Sequence, residues 1–242
     1  MRALMRWLLL LGVAVLVLQL FFVGRIALMT VLAPESTAFQ RSEAWRIARE
    51  GKHGLRWRQD WVPYARLSDH LKRAVIASED DGFVNHEGVD WDAIEKAWQR
   101  NAKAEAQAAR RAQAGKLRPA KVVGGSTITQ QLAKNLFLSG ERTLVRKGQE
   151  VVLTFALETL LSKQRILEIY LNSVEWGEGV FGAEAAAQHY FRKSAARLTP
   201  YEAARLAVML PRPRHYEKLP NSEYLTSRAQ VIVGRMPNAE LP

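Results

Sequence analysis

The sequence has no cysteine among its 242 residues, so neither a disulfide framework nor a thiolate metal site is available to it. Histidine is also scarce: the five histidines show no His-Glu-x-x-His spacing, which argues against a metalloenzyme of that kind. No Gly-Lys-Ser/Thr follows the glycine-rich turns, which argues against an NTPase with a phosphate-binding loop. Three common classes of functional site are therefore disfavoured.

Strand signals are missing as well. No segment alternates convincingly between apolar and polar residues, and no Asn-Gly hairpin turn occurs. Helix signals are frequent instead. Ser68 followed by Asp69 predicts one helix start. Thr199, Pro200 and Glu202 predict another, with a capping box. The sequence therefore predicts a mainly α fold.

The charge is strongly unbalanced towards lysine and arginine. They number 35 against 24 acidic residues, which gives a net charge of +11 and a pI of about 10.1. A balance of this kind implies an anionic partner. Nucleic acid, an anionic membrane surface and a phosphate-bearing substrate are the three candidates.

The N-terminus selects among these partners. Residues 7–24 carry no charge, and after Arg25 residues 26–33 are again mostly apolar; about 20 apolar residues span a bilayer. Arg2 and Arg6 precede the run, which predicts a cytoplasmic N-terminus and a main domain outside the cytoplasmic (inner) membrane. A signal peptide cleaved after residues 31–33 is the alternative, but the run is long for one, so an uncleaved single-pass anchor is favoured. An exported domain has little access to chromosomal DNA, so no nucleic-acid partner is expected.

The chain divides into an N-terminus with its transmembrane anchor (1–33), a juxtamembrane linker (34–66) and a folded domain (67–242). In the linker, Trp45, Trp57 and Trp61 alternate with arginines, which fits both a segment near lipid headgroups and a linker packed on the domain. Residues 99–121 are alanine-rich and basic and lack a core-facing stripe. They are interpreted as a mobile, exposed segment or frayed helix, with contact to anionic lipid as the alternative.

The stretch 77–92 changes abruptly from apolar to acidic. Glu79, Asp80 and Asp81 follow directly after an apolar run, and His86 and Gly88 lie a few residues further on. A carboxylate at the edge of an apolar segment can be partly desolvated, which raises its pKa and suits it to acid–base chemistry. Taken alone, the stretch fits an acidic loop after a helix equally well.

A glycine pair at 124–125 leads into a second predicted helix start. Thr127 and Gln130 fit a capping box, and Ile128, Leu132 and Leu136 form the stripe expected to be buried. Capping alone accounts for Thr127 and Gln130. The alternative is that a glycine-rich turn at a helix N-terminus presents free N–H groups to an anion.

The predicted helix over residues 144–161 is apolar over most of its circumference, which predicts a position in the centre of the domain. Its polar residues nevertheless fall at helical spacing on one stripe, which consists of Arg146, Lys147, Glu150, Thr154 and Glu158. Buried charges are costly unless they are paired or used. An internal ion pair of Arg146 with Glu150 is one interpretation, and a polar stripe lining a cleft through the core is the favoured one.

Four blocks of residues, taken together and in order, resemble the peptidoglycan glycosyltransferases (glycosyltransferase family 51), and most closely the monofunctional, membrane-anchored members. The blocks lie roughly within residues 61–214 and are Glu79-Asp80 with Phe83, His86 and Gly88; Gly-Ser-Thr-Ile-Thr-Gln-Gln at 125–131; Arg-Lys-Gly-Gln-Glu at 146–150; and Lys-Gln-Arg-Ile-Leu-Glu-Ile-Tyr-Leu-Asn at 163–172. The resemblance implies a lysozyme-like, mostly helical domain that polymerises lipid II. Transpeptidase domains carry a Ser-x-x-Lys tetrad, which does not occur here, so glycan synthesis without crosslinking is expected.

The resemblance also implies the reaction. Glu79 would be the general base that deprotonates the 4-hydroxyl of the acceptor lipid II. The donor would be the lipid-linked growing glycan, inverted at its anomeric carbon into a β-1,4 linkage. The undecaprenyl pyrophosphate that leaves needs positive charge beside it, for which Lys134, Arg146 and Lys147 are the candidates. Glu150 would be the second essential carboxylate, and would either organise that site or hold a divalent cation, Mg²⁺ or Mn²⁺.

The other residues of the blocks receive supporting roles from the same resemblance. Substrate contacts to phosphate or sugar are expected from Ser126, Thr127, Gln130 and Gln131. Structural support of the site is expected from Asp80, Phe83, His86, Gly88 and Asn172.

Two other classes of function stay open. A lysozyme-like lytic enzyme that cleaves peptidoglycan would also use a Glu after a helix, but it does not need the Arg-Lys-x-x-Glu stripe. A non-catalytic cell-wall scaffold is the second class, and the presence of both Glu79 and Glu150 argues against it. The expected partners are lipid II, the lipid-linked glycan and the membrane, together with cell-division or elongation proteins that no residue identifies.

Overall fold

The computed structural model describes residues 1–50, 57–113, 124–141 and 143–242. Its helices are α1 (Arg2–Leu28), α2 (Ala38–Glu50), α3 (Asp69–Glu79), α4 (Trp91–Gln113), α5 (Ile128–Phe137), α6 (Leu144–Leu160), α7 (Lys163–Ser173), α8 (Ala183–Phe191), α9 (Pro200–Met209), α10 (Pro213–Glu217) and α11 (Glu223–Arg235). Its strands are β1 (Arg58–Gln59), β2 (Glu175–Gly177) and β3 (Val180–Phe181). The predicted mainly α class is confirmed.

The helix starts follow the capping signals in the sequence. Ser68 caps α3 with its side chain. Thr127 with Gln130 caps α5, and Thr199 with Glu202 caps α9, and in both boxes each side chain accepts from the other residue's backbone N–H. Because these caps satisfy N–H groups that would otherwise lack partners, they fix where each helix begins.

Residues 34–50 and 57–66 pack against the rest of the domain. A further capping box precedes α2: Thr37 N–H donates to Gln40 Oε1 (2.8 Å), and Gln40 N–H donates to Thr37 Oγ1 (3.0 Å). Ile47 of α2 is buried, and Trp57 stacks on Phe181 with ring centroids 4.4 Å apart. The described parts of this segment therefore pack on the domain, which is one of the two interpretations of the sequence.

The small sheet is an element that the sequence did not predict. Its strand order is β1-β3-β2, with β1 parallel and β2 antiparallel to β3. Strands of two or three residues are too short to show an alternating pattern. Gly179 turns the chain between β2 and β3 with a positive φ of 71°, a conformation that glycine adopts without steric cost.

The core is built from α3, α5, α7 and α9. The α3 helix packs on α9 and α11, while α5 packs on α2, α6 and α7. The predicted stripe Ile128, Leu132 and Leu136 is fully buried. This packing brings the C-terminal end of α3 against the N-terminal end of α5, where the Asp80 carboxylate accepts from Ile128 N–H (2.9 Å).

The prediction that α6 is buried nearly all round was wrong. The buried residues of α6 are Glu150, Leu153, Thr154 and Leu157, whereas Leu144 is 91% exposed. Val145, Val152 and Phe155 are exposed as well. An apolar circumference indicates apolar surroundings but does not say whether protein or lipid supplies them.

The apolar helix α1 is long and apolar enough to cross a membrane, and it docks on the domain. The side-chain amides of Gln19 and Gln149 on α6 exchange two hydrogen bonds of 3.0 Å each. At the end of α1, Arg165 donates to the carbonyl of Met29 (2.7 Å) and, beyond it, to that of Leu32 (2.7 Å). The helix therefore contacts both α6 and α7.

The basic segment begins as a continuation of α4. Residues 99–113 are helical, and most of their side chains whose exposure is described are exposed, as predicted. Trp91 and Trp98, nearer the start of α4, are also exposed, at 69% and 75%. Residues 114–121, the remainder of the predicted mobile segment, lie outside the described residues.

Candidate active site

Glu79 is the last residue of α3 and lines a cavity of about 680 Å³. We call this the Glu79 cavity. Ser126, which is exposed, lines it as well. Glu79 Oε2 accepts a hydrogen bond from Gln131 Nε2 (3.0 Å). Burial raises the pKa of Glu79 and nearby Asp80 raises it further, while hydrogen bonds from Gln131 and Ser78 partly oppose the rise. A carboxyl with a raised pKa that opens onto a cavity suits a general base.

Asp80 and His86 form a structural lock beside Glu79. Asp80 Oδ2 accepts from Ile128 N–H, and its Oδ1 lies 2.9 Å from His86 Nε2. His86 Nδ1 accepts from Gly88 N–H (3.1 Å), so the ring proton sits on Nε2 and is donated to Asp80. With these atoms engaged, Asp80 and His86 tie the loop to α5.

Gly88 and Phe83 belong to the same loop, between α3 and α4. Gly88 has a φ of +87°, and a Cβ there would come within 2.6 Å of Thr154 Cγ2. Phe83 is fully buried, with Lys163 Nζ 4.6 Å from its ring centroid. Lys163 also pairs with Glu158 (2.8 Å). The loop is thereby fixed against α6 and α7.

Thr127 and Gln130 are both buried. Thr127 Oγ1 donates to the Gly88 carbonyl (2.6 Å) and accepts from Gln130 N–H, while Gln130 Oε1 accepts from Thr127 N–H. Capping thus engages the Thr127 hydroxyl and the Gln130 amide oxygen. Their contact with substrate stays a prediction, whereas Ser126 is exposed at the cavity.

Gln131 lies between two cavities. One side of its amide contacts Glu79, and Gln131 also lines a second cavity of about 380 Å³ together with Lys134 and Arg146. We call this the Arg146 cavity. Gln131 therefore contacts the predicted base, Glu79, and lines a cavity with two of the predicted cations, Lys134 and Arg146.

Glu150 is 3% exposed and holds two of these cations. Its Oε2 accepts from Arg146 Nη1 (2.7 Å), and its Oε1 accepts from Lys147 Nζ (2.5 Å). The ion pair considered from the sequence is thus formed, and Arg146, one of its two members, lines the Arg146 cavity. Arg146 Nε is buried and has no hydrogen-bond partner among the described residues. A buried donor without a partner next to a cavity suits an anionic ligand.

Among the described residues, Glu150 is not part of a set of ligands for the predicted divalent cation. Both of its carboxylate oxygens already accept from Arg146 and Lys147. Within the described ranges, no group of three or more His, Cys, Asp or Glu residues is arranged to hold a metal ion. Calcium and magnesium sites need several oxygen ligands. The cation therefore stays a prediction, and no step below depends on it.

Asn172 joins two segments of the chain. Its Oδ1 accepts from Val62 N–H (2.8 Å) and its Nδ2 donates to the Val62 carbonyl (2.9 Å). Asn172 therefore ties the chain before α3 to α7.

Sequence reasoning missed Arg228 and Arg235 of α11, which line the Glu79 cavity along with Lys96 and Arg100 of α4. Arg235 also pairs with Asp81 (3.1 Å). The resemblance carried by the four blocks extends only to about residue 214, and no local pattern indicated that α11 packs on α3.

The family is evident from comparison with known proteins. A family model described as Transglycosylase matches residues 48–237, and the chain belongs to this family. The match extends beyond residues 61–214 and includes α11. The resemblance that the four blocks indicated is confirmed.

Individual relatives match over nearly the whole chain. A protein named biosynthetic peptidoglycan transglycosylase from Paraburkholderia phytofirmans is 51% identical over 241 residues, which cover 98% of this chain and 94% of the relative. A protein of the same name from Herminiimonas arsenicoxydans is 51% identical over 244 residues, covering 100% and 99%. Another from Burkholderia thailandensis is 53% identical over 224 residues, covering 93% and 82%.

Proposed function

We propose that this chain is a peptidoglycan glycosyltransferase that polymerises lipid II into β-1,4-linked glycan strands and releases undecaprenyl pyrophosphate. Membership of the transglycosylase family and the shared name of its relatives support this activity. The observation that carries the mechanism is the position of Gln131, which contacts Glu79 and also lines the Arg146 cavity. The base and the cations that the reaction needs lie on either side of this side chain.

Glu79 acts on the acceptor. Its carboxylate removes the proton of the 4-hydroxyl, and the oxygen attacks the anomeric carbon of the donor glycan from the face opposite the leaving group. Burial raises the pKa of Glu79, which makes its carboxylate a stronger base than an ordinary exposed glutamate. The proton then passes from Glu79 to solvent before the next cycle.

Arg146, Lys147 and Lys134 act on the leaving group. As the anomeric bond breaks, negative charge builds up on the pyrophosphate, and positive side chains beside it stabilise that charge. The unpartnered Nε of Arg146 is a donor held ready for a phosphate oxygen. Glu150 keeps Arg146 and Lys147 side by side, since its two oxygens accept from both.

The proposed location is the cytoplasmic membrane, with the N-terminus in the cytoplasm and the catalytic domain outside. The α1 helix is the candidate anchor. Exposed apolar residues of α6, among them Leu144 and Val145, lie on the helix that α1 contacts through Gln19 and Gln149. Because both substrates carry lipid tails, an anchor that confines the enzyme to the same surface raises their effective concentration.

The test is polymerisation of labelled lipid II by the purified, detergent-solubilised protein beside Glu79→Gln. Polymer from the wild type and almost none from the variant is the expected result. Cleavage of finished glycan without polymerisation would favour a lytic enzyme instead. Absence of both activities would favour a scaffold. Assays after chelation with EDTA, with and without added Mg²⁺ or Mn²⁺, test the predicted cation.

A further inference from the structure

Tyr170 is fully buried on α7, yet it is two hydrogen bonds away from the proposed base. Its hydroxyl donates to Gln131 Oε1 (2.9 Å), and the other end of the same amide, Nε2, donates to Glu79 Oε2 (3.0 Å). The helices α7, α5 and α3 each contribute one side chain to this chain of contacts. It runs from the core of the domain to the Glu79 cavity.

The direction of these hydrogen bonds depends on the ionisation of Glu79. An ionised carboxylate only accepts, so it requires the NH₂ group of Gln131 to face it. The amide oxygen then faces Tyr170, which must donate. If the amide were turned over, its oxygen would face Glu79, which suits only the protonated carboxyl, and the hydroxyl of Tyr170 would lose its acceptor.

Tyr170 can supply a proton to this hydrogen bond at any pH at which the enzyme works. Burial raises the pKa of Tyr170 well above its usual range, and the charges of Glu79 and Asp80 raise it further. Within the part of the chain that the structure describes, Gln131 Oε1 is the hydrogen-bond partner of this hydroxyl. A buried hydroxyl proton without an acceptor is costly, so Tyr170 opposes rotation of the amide.

We propose that Tyr170 is a positioning residue that holds the Gln131 amide with its NH₂ group towards Glu79, and so favours the base form of Glu79. Tyr170 does not touch substrate in this role. The inference deepens the proposed function and rests on Glu79 being the base. It adds a residue that lies within the fourth block but whose ring alone would serve the core.

The test is the pH dependence of lipid II polymerisation by Tyr170→Phe, which keeps the ring and removes the hydroxyl. Without the hydroxyl, the Gln131 amide turns over more easily. The protonated form of Glu79 is then stabilised relative to the ionised form. The acid limb of the activity profile should move to higher pH, with activity on that limb falling about three- to tenfold, the size expected for one hydrogen bond. The alkaline plateau and the KM for lipid II should change less than about twofold, because the ring of Tyr170, which lines the Arg146 cavity, is kept and only its hydroxyl is removed.

Tyr190→Phe is the matched control. The Tyr190 hydroxyl also makes one hydrogen bond, to the Trp176 carbonyl (2.7 Å), away from Glu79. The other charged or titratable groups that line the Glu79 cavity are unchanged in both variants; they are Asp80, Asp81, His86, Asp90, Asp92, Lys96, Arg100, Arg228 and Arg235. The control should therefore keep the wild-type acid limb. Each profile is normalised to its own plateau, so partial loss of folded protein does not imitate a shift.

A double variant separates positioning from a structural role. If Tyr170 acts through Gln131, then Tyr170→Phe should cause no further shift of the acid limb in a Gln131→Leu background. An unchanged acid limb in Tyr170→Phe, or an equal shift in both backgrounds, would overturn the proposal. A wild-type protein that makes no polymer would instead count against the proposed function itself.

Discussion

Glu79 and Glu150 are two carboxylates of the candidate site, and their surroundings differ in kind. Glu79 has an amide donor, Gln131, an adjacent cavity and no cation within salt-bridge distance among the described residues. Glu150 is almost completely buried and binds Arg146 and Lys147 through its two oxygens. The first has a raised pKa because it is desolvated without compensation by a positive charge.

This difference shows how one domain can assign two roles to the same residue type. A carboxylate without a cation keeps its lone pairs available and a raised pKa, which suits proton transfer. A carboxylate bound to two cations has both of its oxygens engaged. Its charge instead holds together two side chains that would otherwise repel one another. Four experiments test this difference between the two carboxylates.

The largest effect is expected from Glu79→Gln. The variant keeps the shape and the contact with the amide region but cannot accept the proton of the acceptor. Polymerisation should fall by about 10²- to 10⁴-fold, the usual contribution of a general base. The melting temperature at neutral pH should be unchanged or higher. A variant with substantial activity would remove Glu79 from the role of base.

Glu150→Gln should lower the stability of the fold. Removing one partner from a buried ion pair leaves Arg146 and Lys147 uncompensated, and the expected loss is roughly 3 kcal/mol in the free energy of unfolding. Chemical denaturation measures it. Glu178→Gln is the control, because Glu178 pairs with Arg46 at an exposed position (2.8 Å) and should cost less than about 1 kcal/mol. Equal losses in both variants would mean that Glu150 is no more than a surface partner.

A smaller effect is expected in the dependence of stability on pH. The pKa of Glu79 is raised in the folded protein, so the stability that its neutral form contributes is present below the pKa of the unfolded chain. That contribution is lost as the pH rises through the folded value. Wild type and Glu79→Gln should therefore melt alike at about pH 3.5, below the ordinary value of about 4.3. At pH 8 the variant should melt higher, and a variant that melts lower at pH 8 would contradict the raised pKa.

The smallest effect is expected on the Glu150 side, where α6 meets α1. Gln149→Leu removes the amide pair with Gln19 and should cost about 0.6 kcal/mol, the average for polar contacts between helices in membranes. Thermal unfolding in detergent measures it. Gln19→Leu should cost the same, and the double variant no more than either, because one interaction is lost in all three. Additive losses would show that the two amides act separately.

Local signals in the sequence predicted the helices well. The caps at Ser68, Thr127 and Thr199 were readable because a helix start depends on a few neighbouring side chains. The Thr37 and Gln40 box has the same signature and was available from the sequence. The two- and three-residue strands were not, since pairing of β1 with β3 joins segments far apart in the chain.

The candidate site residues could be named from the sequence, but the contacts between them could not. Glu79 stood out because acidic residues follow an apolar run, and the family resemblance supplied its role. The contact of Gln131 with both Glu79 and Tyr170 depends on how three helices pack, which no local pattern encodes. The exposure of α6 was mispredicted for a related reason: its apolar face says nothing about what covers it.

The docking of α1 has a consequence for how the enzyme meets its substrate. Gln149 hydrogen-bonds to Gln19 of α1. Arg165 hydrogen-bonds to Met29, which directly follows α1 and lies ten residues further along the chain. These levels are about 15 Å apart along a helix axis. A domain held at two heights on its own anchor has little freedom to tilt or to rise. If α1 spans a bilayer, these two contacts would set the depth of the Glu79 cavity relative to the headgroups.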